Sequence, residues 1–379
     1  MSLFEPAEFH ARVARAQAGM EAASLDALLL TTEPEVRYFT GYLTRFWESP
    51  TRPWFLIVPR SGAPIAVIPS IGAALMARTW ITDIRTWRAP DLVDDGVSLL
   101  ADTLNELGPK ARIGMPDGHE THVRMPWADL ERLKGVVSGN LVGDAGLMRA
   151  LRMVKSGAEV ALIETICGIA GRAFDRVPEI AGEGVPLQKV FRGFQMLGLE
   201  EGADWVPYLA GASAQGGYSD VISPATAEPL RRGDVLMLDT GMVRDGYFCD
   251  FDRNFSVGPP SQETLSAHAR LIEAVDAGAD AARPGATASD IFHVMDNIVT
   301  GGAGGSDAGR LGHGLGMQLT EWPSLIPSDH TILLPGMVLT LEPGIETSGG
   351  MLVHEENIVI TETGCRFLSP RASTRMVQI

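Results

Sequence analysis

The chain is poor in cysteine and short of positive charge. Its 379 residues include three cysteines, Cys167, Cys249 and Cys365, too widely separated to build a disulfide framework or a CxxC zinc site. They are expected as free thiols of a reducing cytosol. Lys and Arg number 31 against 47 Asp and Glu, a formal net charge of −16. That balance argues against a protein that tracks nucleic-acid phosphates or lies on anionic lipid, both of which need clustered cations. Apolar runs such as PWFLIVP and DALLLT fall far short of the ~18 residues that span a bilayer. The N-terminal MSLFEPAEFHARVARAQ carries charges where a signal peptide needs an unbroken apolar stretch. We therefore expect a soluble cytoplasmic protein acting on a small peptide or small molecule, with no nucleic-acid or membrane partner.

What is present is enough chain for two domains. Over the first ~145 residues, strand patterns at 26–30, 54–58, 65–68 and 112–115 alternate with helical patterns at 9–22, 72–78 and 97–107. This alternation predicts an α/β domain with a mixed sheet. It contains no catalytic cluster: His119 and His122 follow Asp117-Gly118, but nothing at a matching spacing completes a ligand set. A turn-like Gly-Asp-Ala-Gly near residue 144 opens the boundary region, and a long helical run from about 158 to 180 follows. Further helices at 186–197 and 262–282 are interleaved with strand pairs, which predicts an α+β domain with an antiparallel sheet.

Two hairpin patterns carry the chemistry. In VLMLDTGMVRDGYFCDFDRNFSV, a tip at Arg244-Asp245 places Asp239 opposite Asp250, and a tip at Asp245-Gly246 places it opposite Asp252. In GMVLTLEPGIETSGGMLVHEENIVIT, a tip at Ser348-Gly349 places Glu342 opposite Glu355. Opposed acids inside otherwise apolar strands repel and are costly to bury. Something cationic must neutralise them, and Arg253 is the only base nearby in the strands. Divalent metal ions fit better, since oxygen-rich sites suit them and a carboxylate can join two ions. Between the hairpins, GRLGHGLGMQLTEWP presents His313, whose imidazole shifts the preference from calcium toward Mn, Fe, Co or Zn.

At these residues the chain resembles the creatinase, prolidase and aminopeptidase P family. EVRYFTGY is similar to a recurrent N-terminal segment of that family, and LMRALRMVKSGAEVALI to its entry helix into the catalytic domain. PLRRGDVLMLDTG, DFDRNF, GHGLG, LEPG and HEENIVIT then follow in the family's order. The resemblance implies an α/β N-terminal domain at 1–148 and a pita-bread catalytic domain, α+β with a pseudo-twofold antiparallel sheet, at 149–379. It implies that Asp239, Asp250, His313, Glu342 and Glu355 hold two divalent ions, manganese first and zinc, cobalt or iron as alternatives. Asp250 is selected over Asp252 by the frame of DFDRNF, and Glu355 over Glu356 by the following IVITETG. In such sites Asp250 and Glu355 bridge the two metals, Asp239 chelates one, and His313 with Glu342 holds the other. A homodimer is also implied.

The departures are as informative. The family's peptidases carry a histidine seven residues after the metal histidine, where this chain has Thr320 followed by Glu321. A second family histidine lies where this chain reads SAQGGYSDVISPAT, and the family's arginine two residues before the last ligand is Val353. An oxyanion donor is worth ~3 kcal/mol in a transition state, so its loss has consequences. Thr320, Tyr218 and Asp220 are candidate catalytic replacements by position, with Glu321, His330 and His354 as further possibilities. Strand alternation puts His354 on the face opposite Glu355, which favours a structural role. The expected function is a dinuclear-metal hydrolase resembling Xaa-Pro aminopeptidase or prolidase, a bridging water attacking a peptide carbonyl. The alternatives are a family member that has left peptide chemistry, like the dimethylsulfoniopropionate lyases or the C–N hydrolase creatinase, and a non-catalytic binding protein.

Overall fold

The computed structural model describes residues 3–49, 53–306 and 309–379, and it divides into two compact units, Met1–Arg152 and Met153–Ile379. Among the described residues no helix is long and apolar enough to cross a membrane.

The first unit is built on a six-stranded mixed sheet of β1 (Ala27–Leu30), β2 (Phe55–Pro59), β3 (Ile65–Pro69), β4 (Asp83–Trp87), β5 (Arg112–Met115) and β6 (Asn140–Gly143), in the order β4-β3-β2-β1-β5-β6. The middle strands β1 to β3 are nearly continuous apolar runs because both faces are covered. Ala27, Leu29, Phe55, Ile57 and Val67 pack against Leu100, Leu104 and Leu133 from the helices Val97–Asn105 and Trp127–Val136. The edge strands β4 (DIRTW) and β6 (NLVG) are partly exposed and carry polar residues. Their pattern is too weak to read from the sequence alone. His119 and His122 are exposed in the loop after β5.

The second unit starts with the helix Gly157–Asp175. Ser156 and Glu159 set its N-terminus as a capping box, each side chain accepting the other's backbone N–H. Next come β7 (Trp205–Gln215), β8 (Asp234–Arg244), β9 (Tyr247–Phe248), β10 (Phe251–Ser256), β11 (His313–Gly314), β12 (Glu321–Ser324), β13 (Val338–Leu341), β14 (Gly344–Thr347), β15 (Gly350–Val353), β16 (Glu356–Ile360), β17 (Cys365–Phe367) and β18 (Val377–Gln378). One sheet runs β18-β10-β8-β7 with β9 on β8, and the other runs β12-β11-β13-β16-β17. Every pairing in them is antiparallel except β10 with β18. The helices Gln262–Ala281 and Ala288–Val299 cover β13 and β16, with Leu271, Val275, Ile291 and Met295 packed on Leu339, Leu341, Ile358 and Ile360.

Candidate metal centre

The register of the first hairpin is set by its tip. Asp245 and Gly246 both have positive φ, 52° and 80°, as a two-residue type I′ turn requires. With that tip Asp239 pairs with Asp252, and Asp250 lies two residues further along the same strand face. The second hairpin turns at Ser348-Gly349, Thr347 pairing with Gly350 and Leu341 with Glu356, which brings Glu342 level with Glu355.

The two sheets are joined where these hairpins approach. Asn357 accepts the backbone N–H of Asp250 at 3.0 Å and donates its amide to the Asp250 carbonyl. Asp252 Oδ1 accepts the backbone N–H of Glu355 at 2.8 Å, Asn254 donates to the Val353 carbonyl at 2.6 Å, and Arg253 donates to the Glu355 carbonyl at 3.2 Å. Asp250 and Glu355 are thus held together by their own strands' polar neighbours. His313 is delivered from β11, where Gly314 lies so close to the next strand that a Cβ there would sit 1.9 Å from the Trp322 carbonyl oxygen.

Asp250, His313 and Glu355 each present a ligand atom within 4.8 Å of the other two, and all three are buried. His313 Nδ1 is 2.8 Å from the Gly314 carbonyl, which only accepts, so Nδ1 carries the ring proton. Its Nε2, left with a lone pair, stands 3.3 Å from Asp250 Oδ2. Asp239 Oδ2 accepts the Tyr208 hydroxyl at 2.8 Å, while Asp239 Oδ1 and Glu355 Oε1 are buried without a hydrogen-bond partner. Buried polar atoms are normally paired. Burial, reinforced by the neighbouring acids, pushes Asp239 and Glu355 far above the usual carboxylate range. Burial raises Asp250 in the same way, opposed by the Arg310 guanidinium. Glu342, half-buried, is pushed up to about 7 by burial, with His313 opposing and Asp250 adding to the rise. A crowd of buried carboxylates, two of them with orphaned oxygens, beside an imidazole nitrogen suits divalent cations by residue type.

The expected catalytic replacements fare differently. Tyr218 is 1% exposed and serves the core: its hydroxyl accepts the Val353 N–H at 2.7 Å and faces Asn254 Oδ1 at 3.2 Å, while its backbone bridges to Met351. Asp220 is exposed and caps a turn, accepting the N–H groups of Ile222 and Ser223. Tyr218 thus links Asn254 to the Val353 backbone, and turn chemistry fits Asp220 in its Gly-Gly-Tyr-Ser-Asp segment. Thr320 accepts a hydrogen bond from Arg310 Nη2 at 3.2 Å. Glu321 is buried against Lys155 at 3.0 Å and accepts the N–H groups of Met317 and Gln318, bracing the glycine-rich segment after His313. His330 is exposed. His354 is pinned between Asp252 Oδ1 at 3.3 Å and Glu356 Oε1 at 3.4 Å.

Tyr208 and Arg310 went unread in the sequence. Tyr208 lies on β7 opposite Gly241, two residues from Ala210, which faces Asp239. A small residue across from Asp239 with an aromatic one step along was the available signal. Arg310, three residues before His313, had no signal beyond its proximity.

Comparison with known proteins agrees with this geometry. The model of the Creatinase/Prolidase N-terminal domain matches residues 12–154. The probable dipeptidase PepE of Mycobacterium tuberculosis is 28% identical over 372 residues, covering 95% of this chain and 94% of that protein. The Xaa-Pro dipeptidase of Pyrococcus horikoshii is 26% identical over 358 residues, covering 92% and 94%. The crystal structure of dipeptidase PepE from Mycobacterium ulcerans superposes with a TM-score of 0.85 at 27% identity, covering 99% of each chain. Residues 161–362, which contain Asp239, Asp250, His313, Glu342 and Glu355, match metallopeptidase family M24, and the chain belongs to that family of metal-dependent peptide hydrolases.

Proposed function

We propose that the protein hydrolyses short peptides, most simply Xaa-Pro dipeptides, at a centre formed by Asp239, Asp250, His313, Glu342 and Glu355. The observation that carries this reading is the buried Asp250–His313–Glu355 cluster with orphaned oxygens on Asp239 and Glu355. Two divalent ions, manganese first and zinc, cobalt or iron as alternatives, would supply an electrophile for the carbonyl and an acidified water. The chain's own contribution is orientation. Tyr208 holds Asp239 by one oxygen and leaves the other available, and the Gly314 carbonyl fixes the His313 tautomer. Arg310 and Thr320 stand together where the family carries a histidine seven residues after the metal histidine, so the donor offered there is a guanidinium–hydroxyl pair. Manganese-loaded protein assayed with Xaa-Pro dipeptides, other dipeptides and longer peptides tests the reading. No cleavage above blank with metal bound refutes it.

A second reading, a family member acting on a non-peptide substrate, is favoured by that same replacement of histidine by Thr320. It predicts bound metal with no peptide cleavage, and turnover in a screen of small amides and of elimination substrates such as dimethylsulfoniopropionate. A non-catalytic binding protein predicts less than about one ion per chain after purification without chelator. We also infer a cytoplasmic homodimer. The three cysteines are all free, which suits a reducing compartment, and family resemblance supports the dimer, to be checked by analytical ultracentrifugation.

A further inference from the structure

A cavity of about 300 Å³ opens between the end of the helix Gly157–Asp175, β10 and the C-terminal segment, and none of Asp239, Asp250, His313, Glu342 and Glu355 lines it. Its volume is at the lower edge of the range of small-molecule sites, roughly 300–1,000 Å³. In a chain of net charge −16 its walls carry three guanidinium groups, Arg253, Arg371 and Arg375, beside the imidazoles of His268 and His354 and the single carboxylate of Asp175.

These cations are not equally engaged. Arg253 is paired with Glu356 at 3.0 Å, and Arg371 with Asp276 at 2.6 Å, with Glu356 a further 3.7 Å from its Nε. A guanidinium has five N–H donors, so Arg371 keeps donors in hand. Arg375 has an exposed side chain with no ion pair or side-chain hydrogen bond among the described residues; only its backbone N–H is engaged, by Ser373. His268 is 4% exposed. Its Nε2 lies 3.1 Å from the Ser373 carbonyl, so Nε2 carries the proton, and its Nδ1 is buried with no partner.

We propose that this cavity binds a small oxyanion of the phosphate or phosphate-monoester type. The anionic oxygens take the guanidinium donors of Arg375 and Arg371. Phosphate geometry suits arginine's planar fork of donors. The site is independent of the reaction proposed for the metal centre.

Isothermal titration of the metal-loaded protein with inorganic phosphate and with glycerol 1-phosphate tests the site, comparing wild type with Arg375→Ala and Arg375→Lys. Arg375 is exposed, so neither variant endangers folding. Losing a charge-assisted hydrogen bond weakens binding about tenfold or more, so R375A should lose about that factor and R375K less. Tighter binding of glycerol 1-phosphate identifies a phosphate ester as the natural occupant, and tighter inorganic phosphate identifies the free ion. Identical titrations for wild type and R375A assign all binding to the metal centre or the general surface and overturn the proposal. So does a selenate-soaked crystal without anomalous density in the cavity. Neither readout depends on peptide cleavage, so failure here is distinguishable from failure of the hydrolase reading.

Discussion

His313 Nε2 faces Asp250 Oδ2 across 3.3 Å, two lone-pair atoms that repel unless a cation or a proton lies between them. Without metal, protons must do this work. Asp239, Asp250 and Glu355 are then raised above their unfolded values, and Glu342 to about 7. Folded chains consequently hold more protons than unfolded ones above about pH 4.5, so stability falls as pH rises through that window toward 7 and beyond. Calorimetry of chelator-treated protein should give a lower melting temperature at pH 7.5 than at pH 5.5, and manganese should raise the pH 7.5 value most. A flat profile in the metal-free protein would show that the acids are not mutually buried.

Tyr208 donates to Asp239 at 2.8 Å, and burial, then the Asp239 charge, raises its phenol so that it stays protonated. Tyr208→Phe removes only that donor. Outer partners of metal ligands are worth roughly 10–100-fold in metal affinity or activity, and a loss of that size is expected in competition with a metal indicator dye. Unchanged affinity and activity would mean that Asp239 needs no such support.

Lys155 and Glu321 form a buried pair beneath the glycine-rich segment. Lys155→Met takes the cation away from a buried carboxylate, at a cost of about 3–5 kcal/mol in urea unfolding. Because Glu321 also holds the N–H groups of Met317 and Gln318, metal retention should fall with it. A loss below about 1 kcal/mol would show that the pair contributes little.

Burial works to raise Glu356, but Arg253, His354 and Ser369 outweigh it and hold the carboxyl down to about 2. A lowered folded value gives stability that is present above about pH 4.5 and lost as pH falls from there toward 2, roughly 3 kcal/mol in all. Glu356→Gln should destabilise the protein at pH 7 and flatten that acid limb. The check is a pair of denaturation curves at pH 7 and pH 3; parallel losses in both would contradict it.

Legibility followed physical determinacy. The second hairpin was readable because only Ser348-Gly349 fits a tight tip between its apolar runs. The first was ambiguous between Arg244-Asp245 and Asp245-Gly246, and the structure chose the pair that tolerates two positive φ values. Family resemblance nonetheless pointed to Asp250, which lies in the cluster although Asp252 is the residue paired with Asp239. Tyr218 and Asp220 were named from position in a family pattern, which carries no information about which way a side chain turns. Tyr208 and Arg310 were missed because their contacts join segments about 30 and 10 residues apart without any local periodicity.

Gly314 leaves no room for a methyl group against Trp322, so the histidine beside it is aimed by an absence of atoms. A relative of this chain with every acid and the imidazole intact but alanine at that position would pass inspection of its ligands and still misplace one of them. Retained metal-binding side chains are therefore an incomplete test of competence in such chains, and the small residue next to the histidine belongs in the comparison.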